Sequence, residues 1–465
     1  MKAPIRLSLV IVIFALVSLL NVGFTPAQAN RDSNIPQQTT SHANLPWASQ
    51  YVQQRLDPPL NVGGYVSVAI SSFNDFLVMS YFDATNHSLV VASPVPGHAG
   101  NCGTNNNWEC VTLDGGIGLA VGMYTSIDVW GNSLENWKMG ISYYDITHRS
   151  LKAAIYTCYL GSCGWDIVTV SAPASPDVSI GLYSSFKFDS TGNAAIAFFS
   201  FNSTQMTNIL FYAEQVSIGG ICGEGGALGL WECTEATYGS GESRYASLDF
   251  SYDDIPYIAF YSAQAGDLGL VFKGGMCGPE IGWTCLDLDG STGSDVGLYA
   301  SMKAPQYPGD LYRIAYYDKT NGQLKYYDPS WGAIVVDDMG TSISPMGISM
   351  EIDNDGYPVI AYQQITNEFS APKLNITRPY LEFADEPYGN CSDNPPGYIF
   401  AYWLCSTLDN GSQYSEEANY AALEINSRGM VGIAYSEYNS YYDATSVKFI
   451  YQTLFSTFIP LTNRE

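Results

Sequence analysis

Basic residues and histidine are scarce in this sequence. Its 465 residues include 19 Lys and Arg and 4 His against 45 Asp and Glu, for a formal charge of −26. A chain this acidic repels phosphate, so we expect no nucleic-acid partner. Charged residues make up only 14% and hydrophobic residues 46%, which argues against a disordered chain and against a coiled coil.

Helical periodicity is also missing, since no segment beyond the N-terminus repeats apolar residues at helical spacing. The sequence is instead rich in residues of strands and turns, with 35 Tyr and 44 Gly. Tyrosine favours strands, and glycine allows the tight turns between them. This composition predicts an all-β globular protein.

Long apolar runs are lacking except near the N-terminus. Lys2 and Arg6 precede an uncharged run at 7–20, and Ala27 and Ala29 form a small-x-small cleavage site. The pattern predicts a signal peptide over residues 1–29, too short to span a membrane; an uncleaved anchor is the alternative. We therefore expect a secreted, extracellular protein that is a monomer and leaves the membrane once the signal is removed.

The ten cysteines contain no CxxC pair, and with four histidines in the chain they do not suggest a zinc site. Export would allow them to form disulfides. They fall into close pairs, and local pairing is the simplest connectivity. It joins Cys102 with Cys110, Cys158 with Cys163, Cys222 with Cys233, Cys277 with Cys285 and Cys391 with Cys405.

One phrase recurs seven times: an aromatic opening, usually Tyr-small-Ser, then Ile-Ala-Tyr-Tyr-Asp or a variant, then Leu-Lys-Tyr. The openings are Tyr65, Tyr124, Tyr183, Tyr245, Tyr299, Gly347 and Tyr420. The second strands end at the anchors Tyr81, Tyr143, Phe198, Phe260, Tyr316, Tyr362 and Tyr435. Openings lie 48 to 73 residues apart, and self-similarity at such a period indicates a propeller or a repeat array.

The fifth repeat shows the predicted strands most clearly. They are Tyr299–Met302, Tyr312–Tyr317, Leu324–Tyr327 and Ala333–Val336, with an Asn-Gly hairpin turn before the third. Four-stranded units repeated seven times predict a seven-bladed β-propeller of antiparallel blades over residues 63–465.

Tryptophan accompanies most of the cysteine pairs. Trp-x-Cys elements open the outer strand at Trp108, Trp231, Trp283 and Trp403, and the second repeat has Trp165 after Cys163. We expect the disulfides to join the third and fourth strands of each blade and the indoles to pack between blades. Sugar stacking by these indoles is the alternative.

The seventh repeat lacks such an outer-strand element. Residues 30–62 precede the first repeat, and the segment around Trp47–Val52 is predicted to supply the missing outer strand and close the ring. The alternative is that Leu454–Pro460 does so.

The seven sequence repeats together suggest one candidate ligand site. In a propeller, the starts of first strands and the ends of second strands meet around the mouth of the central channel. The residues predicted there are Tyr65, Tyr124, Tyr183, Tyr245, Tyr299, Tyr420, Asp83, Asp145 and Asp318. Phenol rings stack on apolar sugar faces and carboxylates accept sugar hydroxyl protons. Packing by the tyrosines and turn capping by the aspartates are the alternatives.

One basic residue stands in a loop that enters the same face. Arg244 is expected to pair with Glu242, two residues earlier in the chain. Binding of a ligand carboxylate by Arg244 is the alternative.

The phrase Tyr299-Ala-Ser, Ile314-Ala-Tyr-Tyr-Asp and Leu324-Lys-Tyr resembles repeats of secreted bacterial propellers of the broad sialidase-like and lectin-like group, over residues 63–452. The resemblance implies lectin-like recognition of a carbohydrate or another cell-surface ligand. The sialidase Asp box, Ser-x-Asp-x-Gly-x-Thr-Trp, is absent from every repeat, and no arginine triad is evident. No catalytic residue is therefore assigned.

An extracellular glycoside hydrolase or polysaccharide lyase is the alternative function. The 73-residue spacing of the sixth repeat breaks the symmetry. His87 and His148 are assigned to equivalent positions in the first two repeats and are candidate bases, but the fifth repeat has Gly322 there, so a turn position is the favoured interpretation. A purely structural module is a third possibility. No cofactor or metal is expected; Asp353-Asn-Asp-Gly resembles part of a calcium loop, but its register favours a hairpin turn.

Overall fold

The structure is a computed structural model, and the residues it describes belong to one compact unit, 42–465. It describes residues 51–56, 62–133, 136–159, 162–217, 219–222, 230–237, 243–277, 280–291, 293–341, 344–365, 372–379, 391, 402–411, 420–439 and 444–452. The predicted signal peptide and residues 380–390, most of the insertion in the sixth repeat, lie outside these ranges.

Seven four-stranded antiparallel sheets form the fold, and strands A to D run from the channel outward in each. Six sheets follow chain order. The first three blades contain β2 (Val62–Ile70), β3 (Leu77–Asp83), β4 (Ser88–Pro94) and β5 (Trp108–Asp114); β6 (Val121–Trp130), β7 (Lys138–Asp145), β8 (Ser150–Tyr159) and β9 (Ser162–Ser171); and β10 (Val178–Phe188), β11 (Ala194–Asn202), β12 (Thr207–Gln215) and β13 (Trp231–Thr237).

Blades four to six continue this order. They contain β14 (Arg244–Phe250), β15 (Pro256–Ser262), β16 (Asp267–Cys277) and β17 (Glu280–Asp289); β18 (Val296–Lys303), β19 (Arg313–Asp318), β20 (Gln323–Asp328) and β21 (Gly332–Asp338); and β22 (Ser344–Ile352), β23 (Pro358–Ile365), β24 (Lys373–Pro379) and β25 (Trp403–Asp409). Two short 3-10 turns, Pro96–His98 and Thr104–Asn106, lie between β4 and β5.

The seventh blade joins the two ends of the described chain. Its strands are β26 (Ala421–Ile425), β27 (Val431–Asn439), β28 (Ala444–Gln452) and, outermost, β1 (Tyr51–Arg55). Strand β1 runs antiparallel to β28, with Tyr51 opposite Gln452. Tyr51 and Val52, the end of the first of the two segments considered for ring closure, thus lie on the last sheet, whereas residues 47–50 of that segment and Leu454–Pro460 lie outside the described residues.

The sheets close into a ring because each strand A contacts strand A of the next blade, and β26 contacts β2. The prediction of a seven-bladed β-propeller is therefore confirmed. Among the described residues, no helix is long and apolar enough to cross a membrane.

All five predicted disulfides are present, and each connects strand D with strand C or with the C–D connection. They join Cys102 with Cys110, Cys158 with Cys163, Cys222 with Cys233, Cys277 with Cys285 and Cys391 with Cys405. All ten cysteines are thus paired.

The cross-links sit at the outer edge of their blades. Cys233, Cys285 and Cys405 each follow the strand-D tryptophan by two residues, so the Trp-x-Cys element places the indole and the sulfur on the same strand. The Cα–Cα distances run from 4.0 Å, in the second blade, to 5.9 Å, in the first. The outer strand of a blade has the fewest neighbours, so the disulfides stabilise the blade where packing is weakest.

The strand-D indoles pack between blades, as predicted. Trp108 contacts Phe449 of the seventh blade with ring centroids 5.6 Å apart, and Trp283 contacts Tyr212 of the third blade at 5.4 Å. Both indoles are at most 2% exposed. Trp331 of the fifth blade differs, since 39% of it is exposed.

The serine of the repeated phrase links neighbouring inner strands. Its hydroxyl accepts a hydrogen bond from a backbone N–H of strand A in the next blade, at 2.9–3.1 Å. The six acceptors are Ser67, Ser126, Ser185, Ser247, Ser301 and Ser349. The seventh repeat has Ala422 at this position, at the junction with the first blade.

A second link lies further out and uses the anchor tyrosine. The Tyr316 hydroxyl donates to Asp289 at the end of the preceding blade's strand D, at 2.6 Å, and Lys325 reaches the same carboxylate at 3.1 Å. Tyr143 with Asp114, Tyr362 with Asp337 and Tyr435 with Asp409 repeat the tyrosine–aspartate bond. Sequence reasoning recognised the Tyr and Lys of the phrase but missed this partner, which lies in the preceding repeat.

Closure by β1 should depend on Leu56, which is fully buried and whose N–H donates to the Val447 carbonyl at 3.0 Å. We expect Leu56→Ala to lower the free energy of unfolding by about 2–5 kcal/mol, because it leaves a cavity between the first and last blades. Denaturant titration measures the free energy of unfolding. Ile117→Ala, at a fully exposed position, is the control. Equal losses of stability in the two variants would contradict the role of Leu56 in closing the ring.

The tyrosine–aspartate links predict a second stability effect. Tyr316→Phe keeps the ring but removes the phenol that donates to the Asp289 carboxylate, so we expect a loss of about 1–3 kcal/mol in the free energy of unfolding. Tyr257→Phe, on a partly exposed ring, is the matched control and should change stability by less than about 0.5 kcal/mol. If Tyr316→Phe left the free energy of unfolding unchanged, the hydrogen bond to Asp289 would make no contribution to stability.

Candidate functional site

Six predicted tyrosines form a ring of phenols, the tyrosine collar, at the start of strand A. At five of them the pairing of strand A with strand B is interrupted by a β-bulge. These five tyrosines have a left-handed backbone, with φ of 52–61°. The collar consists of Tyr65, Tyr124, Tyr183, Tyr245, Tyr299 and Tyr420. Gly347 occupies the opening position of the sixth blade, with φ 59°.

A left-handed tyrosine is energetically unfavourable by about 1–2 kcal/mol, because its Cβ crowds the following carbonyl. Glycine adopts this conformation freely, as Gly347 does. Five blades nevertheless carry tyrosine there. The strain is compensated by what the aromatic ring contacts, so the collar side chains matter to packing, to ligand binding or to both.

The collar rings pack against one another in a continuous row. Successive centroids lie 4.3–5.1 Å apart from Tyr420 through Tyr65 and onward to Tyr299. Each ring is half-buried. The row is interrupted at the sixth blade, where Gly347 stands between Tyr299 and Tyr420. The collar therefore has one gap.

The collar phenols stay neutral over the whole physiological range. Burial raises the pKa of Tyr65, Tyr124 and Tyr420 above the usual value of 10.0, and phenol–phenol hydrogen bonds connect Tyr65 with both neighbours. A neutral phenol both donates and accepts a hydrogen bond. The collar thus presents half-exposed rings with uncharged polar groups.

The three predicted aspartates lie at the ends of strand B and are buried. Asp83 accepts backbone N–H groups of Thr85 and Asn86, both at 2.9 Å, within the B–C turn. Asp145 and Asp318 accept the N–H three residues later, at 3.0 Å. Their carboxylates cap the B–C turns; a ligand-binding role for them stays a prediction.

The two histidines singled out as candidate bases are not equivalent, contrary to the expectation. His87 lies in the left-handed turn position, with φ 53°, and shares it with Arg149 and Gly322. His148 stands one residue earlier, where its ring nitrogen bonds Asp145 at 2.8 Å. The two repeats were aligned one residue out of register because both turns contain histidine.

A polar residue lies next to the opening position of the sixth blade in the strand register. Gln363 pairs with Met346 next to Gly347, and it is 2% exposed. Its amide nitrogen donates to the Ser436 carbonyl at 2.8 Å, whereas its Oε1 has no hydrogen-bond partner among the described residues.

Most other blades have an aromatic ring where the sixth has Gln363. The position directly follows the anchor of strand B, and five blades fill it with Phe82, Tyr144, Phe199, Tyr261 and Tyr317. The sixth blade therefore has a buried amide where these blades have rings.

Charged groups flank the collar at the fourth and fifth blades. Lys319 pairs with Asp295 at 3.0 Å, and the Tyr261 hydroxyl donates to the same carboxylate. Arg244 interacts electrostatically with Asp295 and with Tyr245. The expected partner of Arg244, Glu242, lies outside the described residues.

Deeper in the channel lies a ring of charges that sequence reasoning missed. The residues stand four positions after each opening residue on strand A. In an extended strand this spacing is about 13 Å at most. They are Asp128, Lys187, Asp249, Lys303, Glu351 and Glu424, with Ala69 in the first blade. Lys187 pairs with Asp128 at 3.4 Å, and Lys303 pairs with Glu351. The fixed spacing from the openings was the available signal.

The channel charges strongly influence one another. Burial, reinforced by the nearby carboxylate of Glu351, raises the pKa of Glu424 to about 8, although Lys187 and Lys303 act in the opposite direction. The four carboxylates exceed the two lysines in number. Protonating Glu424 relieves part of this excess negative charge in a poorly solvated space.

The calcium-like sequence forms a turn. Asp353 accepts the N–H groups of Asp355 and Tyr357 at 3.0 and 2.8 Å, and Asp189 makes equivalent bonds in the third blade. Within the described part of the chain, no group of three or more His, Cys, Asp or Glu is arranged to hold a metal ion.

Comparisons with known proteins find likeness only in architecture. No family model and no curated protein matches the chain. Aleuria aurantia lectin, in complex with α-methyl-L-fucoside, is similar over 74% of this chain and all of its own, at 10% identity and a TM-score of 0.41. A Hadza microbial sialidase is similar over 83% of this chain and 65% of its own, at 9% identity and 0.43. Penicillium chrysogenum α-L-arabinanase, complexed with arabinobiose, matches 67% of this chain and 93% of its own, at 12% identity and 0.41.

The raised pKa of Glu424 predicts a pH-dependent stability effect. The folded protein keeps the Glu424 proton up to about pH 8, whereas the unfolded chain releases it near 4.5. The stability due to this group is therefore complete below pH 4.5 and declines as the pH rises to 8. We expect Glu424→Gln to be more stable than wild type at pH 9, by about 1 kcal/mol or more.

At pH 4 the Glu424→Gln variant and the wild type should unfold alike, as followed by urea titration at both pH values. Asp166→Asn, at an exposed position of β9, is the control. Its difference from wild type in the free energy of unfolding should be the same at pH 4 and at pH 9. Equal stability of Glu424→Gln and wild type at pH 9 would contradict the burial argument.

Proposed function

We propose that this protein is a secreted carbohydrate-binding propeller that holds a glycan at the channel mouth, against the tyrosine collar. The observation that carries the proposal is the collar itself. Five tyrosines adopt an unfavourable left-handed backbone and bring partly buried rings together in one row. Glycine would adopt this conformation without strain, so the rings contribute something that glycine does not, and the proposal is that this contribution includes ligand binding.

The chemistry of the collar suits a sugar. Phenol faces contact the apolar C–H faces of a pyranose, and neutral hydroxyls donate to and accept from its hydroxyl groups. Because burial raises the pKa of Tyr245 and Tyr299, the phenols keep both hydrogen-bonding roles across the physiological pH range.

The gap at Gly347 is the proposed position of the first sugar ring. A single tyrosine is missing from the row at this blade, where Gly347 has the left-handed backbone of the other openings but no side chain. A sugar ring placed there would contact the neighbouring phenols, Tyr299 and Tyr420, on either side.

The charge ring supports binding at the mouth rather than passage through the channel. Lys187 and Lys303, deeper in the channel, are paired with Asp128 and Glu351 of adjacent blades. A neutral glycan entering this zone would have to replace ion pairs and their hydration, which is unfavourable. The collar is therefore the proposed floor of the site.

Export of the protein is part of the same proposal. The five disulfides support it, because such cross-links persist in oxidising compartments. A glycan or another ligand on a cell surface is the proposed partner, and the protein is proposed to act as a monomer.

The test begins with a glycan array, and the strongest ligand is then titrated by calorimetry. Gly347→Tyr fills the gap, and its backbone should tolerate tyrosine because five blades hold tyrosine at nearly the same φ. We expect at least about tenfold weaker binding by this variant, about 1.4 kcal/mol, and a loss in the free energy of unfolding of no more than about 1–2 kcal/mol from the left-handed tyrosine. Tyr420→Phe should weaken binding by a smaller factor through loss of one hydroxyl.

Tyr252→Phe is the control, because this half-exposed ring lies in an A–B turn at the opposite face. Undiminished binding by Gly347→Tyr would overturn the proposed position of the ligand. Release of reducing ends or unsaturated products from polysaccharides would instead identify the protein as an enzyme.

A further inference from the structure

Two basic residues break the sequence repeat beside the tyrosine collar, one in the fourth blade and one in the fifth. Arg244 directly precedes the opening Tyr245, where the other six repeats have Gly, Met, Leu or Asn. Lys319 stands three residues after the anchor Tyr316, where the other six repeats have Ala, Ile, Phe or Tyr. The repeated scaffold forms without a cation at either position, so blade packing alone does not explain these two residues.

Both basic side chains act on one carboxylate, that of Asp295 in the loop before β18. The Lys319 Nζ lies 3.0 Å from this carboxylate, and Arg244 interacts with it electrostatically. Tyr261 pairs with Arg244 in the strand register and donates its hydroxyl to the same carboxylate. Arg244, Tyr261, Asp295 and Lys319 thus form one group, the basic cluster, with two positive charges and one negative charge.

The basic cluster is open to solvent and adjoins the collar. The Lys319 side chain is 60% exposed, and that of Asp295 is 35% exposed. Arg244 interacts with the hydroxyl of Tyr245 and acts electrostatically on Tyr299, so its guanidinium lies near two neighbouring collar rings. A ligand that rests on these two rings therefore lies within reach of the cluster.

The environment of Asp295 shows which kind of group the basic cluster favours. Burial opposes ionisation of Asp295, but the Tyr261 hydroxyl and Lys319 outweigh it and lower the pKa of the carboxyl. Guanidinium and ammonium groups bind carboxylates through charge-assisted hydrogen bonds. Asp295 balances only one of the two positive charges, and a second carboxylate, supplied by a ligand, would balance the other.

The net charge of the chain, −26, acts against an anionic ligand, but most of that charge lies far from the cluster. At physiological ionic strength, exposed charges more than about 8 Å apart are largely screened from each other, so direct contacts dominate. Asp289 and Asp318, two carboxylates of the same region, are themselves paired with Lys325 at 3.1 and 2.7 Å. The two cations of the cluster therefore determine the charge that a ligand meets there.

We propose that Arg244 and Lys319 bind the carboxylate of a uronic acid whose ring lies against the collar, so that the ligand of this propeller is an acidic glycan. This inference rests on the proposed function of the collar and extends it from glycans in general to those with uronic acids. Asp295 competes with the ligand carboxylate for the same two cations.

The experiment uses the full protein with methyl glucuronide and methyl galacturonide, and with methyl glucoside and methyl galactoside as their neutral counterparts, titrated by ligand-observed NMR. We expect at least one uronide to bind at least about tenfold more tightly than its neutral counterpart, since only the uronide forms charge-assisted bonds.

Three variants test the basic cluster. Arg244→Met and Lys319→Ala place residues that other repeats have at these positions, so both should fold. We expect Arg244→Met to weaken uronide binding at least about tenfold, and Lys319→Ala, at the more exposed cation, about two- to fivefold. Asp295→Asn keeps an acceptor for the Tyr261 hydroxyl but removes the competing charge, and it should strengthen uronide binding. None of the three should change binding of a neutral glycoside.

Arg149→Gln is the matched control, because it removes an exposed cation from a B–C turn of the second blade, outside the basic cluster. It should leave uronide binding unchanged. The proposal is overturned if no uronide binds, if uronides bind no more tightly than their neutral counterparts, or if Arg149→Gln weakens binding as much as Arg244→Met. Weaker binding by both Arg244→Met and Asp295→Asn would also overturn it, as the mark of a general disturbance of the loop.

The glycan array separates failure of this inference from failure of the collar function. Array ligands that are all neutral, with binding lost in Gly347→Tyr, would support the collar function and reject the acidic ligand. An array without any glycan signal would reject both.

Discussion

Bonds between neighbouring blades hold this propeller together. Each sheet has only four strands, so its inner faces become a core only when the next blade covers them. The serine hydroxyl near the channel fixes one inner strand to the next, and the tyrosine–aspartate bond repeats this further out. In the Asp409 link, burial opposes ionisation, but Lys448 and Tyr435 outweigh it and lower the pKa of the carboxyl. This link between two blades therefore combines an ion pair with a hydrogen bond.

This coupling also shapes the candidate site. Because the blades are held at a fixed register, five left-handed tyrosines converge on one collar, and the single repeat that lacks the tyrosine leaves a gap. The same register places one charged residue at a common depth in the channel in six of the blades. Symmetry provides the scaffold, and the departure from it at the sixth blade marks the candidate site.

Some features could be predicted because their signal repeats along the chain. Tyr299 and its counterparts recur at a period that requires four strands per unit, and Trp108 and Cys110 recur on the outer strand. The position of His148 was mistaken, because two turns of similar composition differ by one residue in register. The channel charges were overlooked for a different reason. Asp128, Lys187 and Glu424 differ in type and sign, so no single residue marks the position, although their spacing from the openings is constant.

The architecture could be read from the linear chain, since a repeated phrase encodes repeated strands and close cysteine pairs encode local cross-links. The contacts between repeats emerge only when the blades pack. Asp289 meets Tyr316 because it ends the preceding blade, and the Gln363 amide donates to the Ser436 carbonyl because that residue belongs to the next blade. Hydrogen-bond satisfaction and burial depend on neighbours that belong to another repeat. Local patterns carry the fold, whereas the partners of each polar group, and hence the candidate sites, depend on how the blades meet.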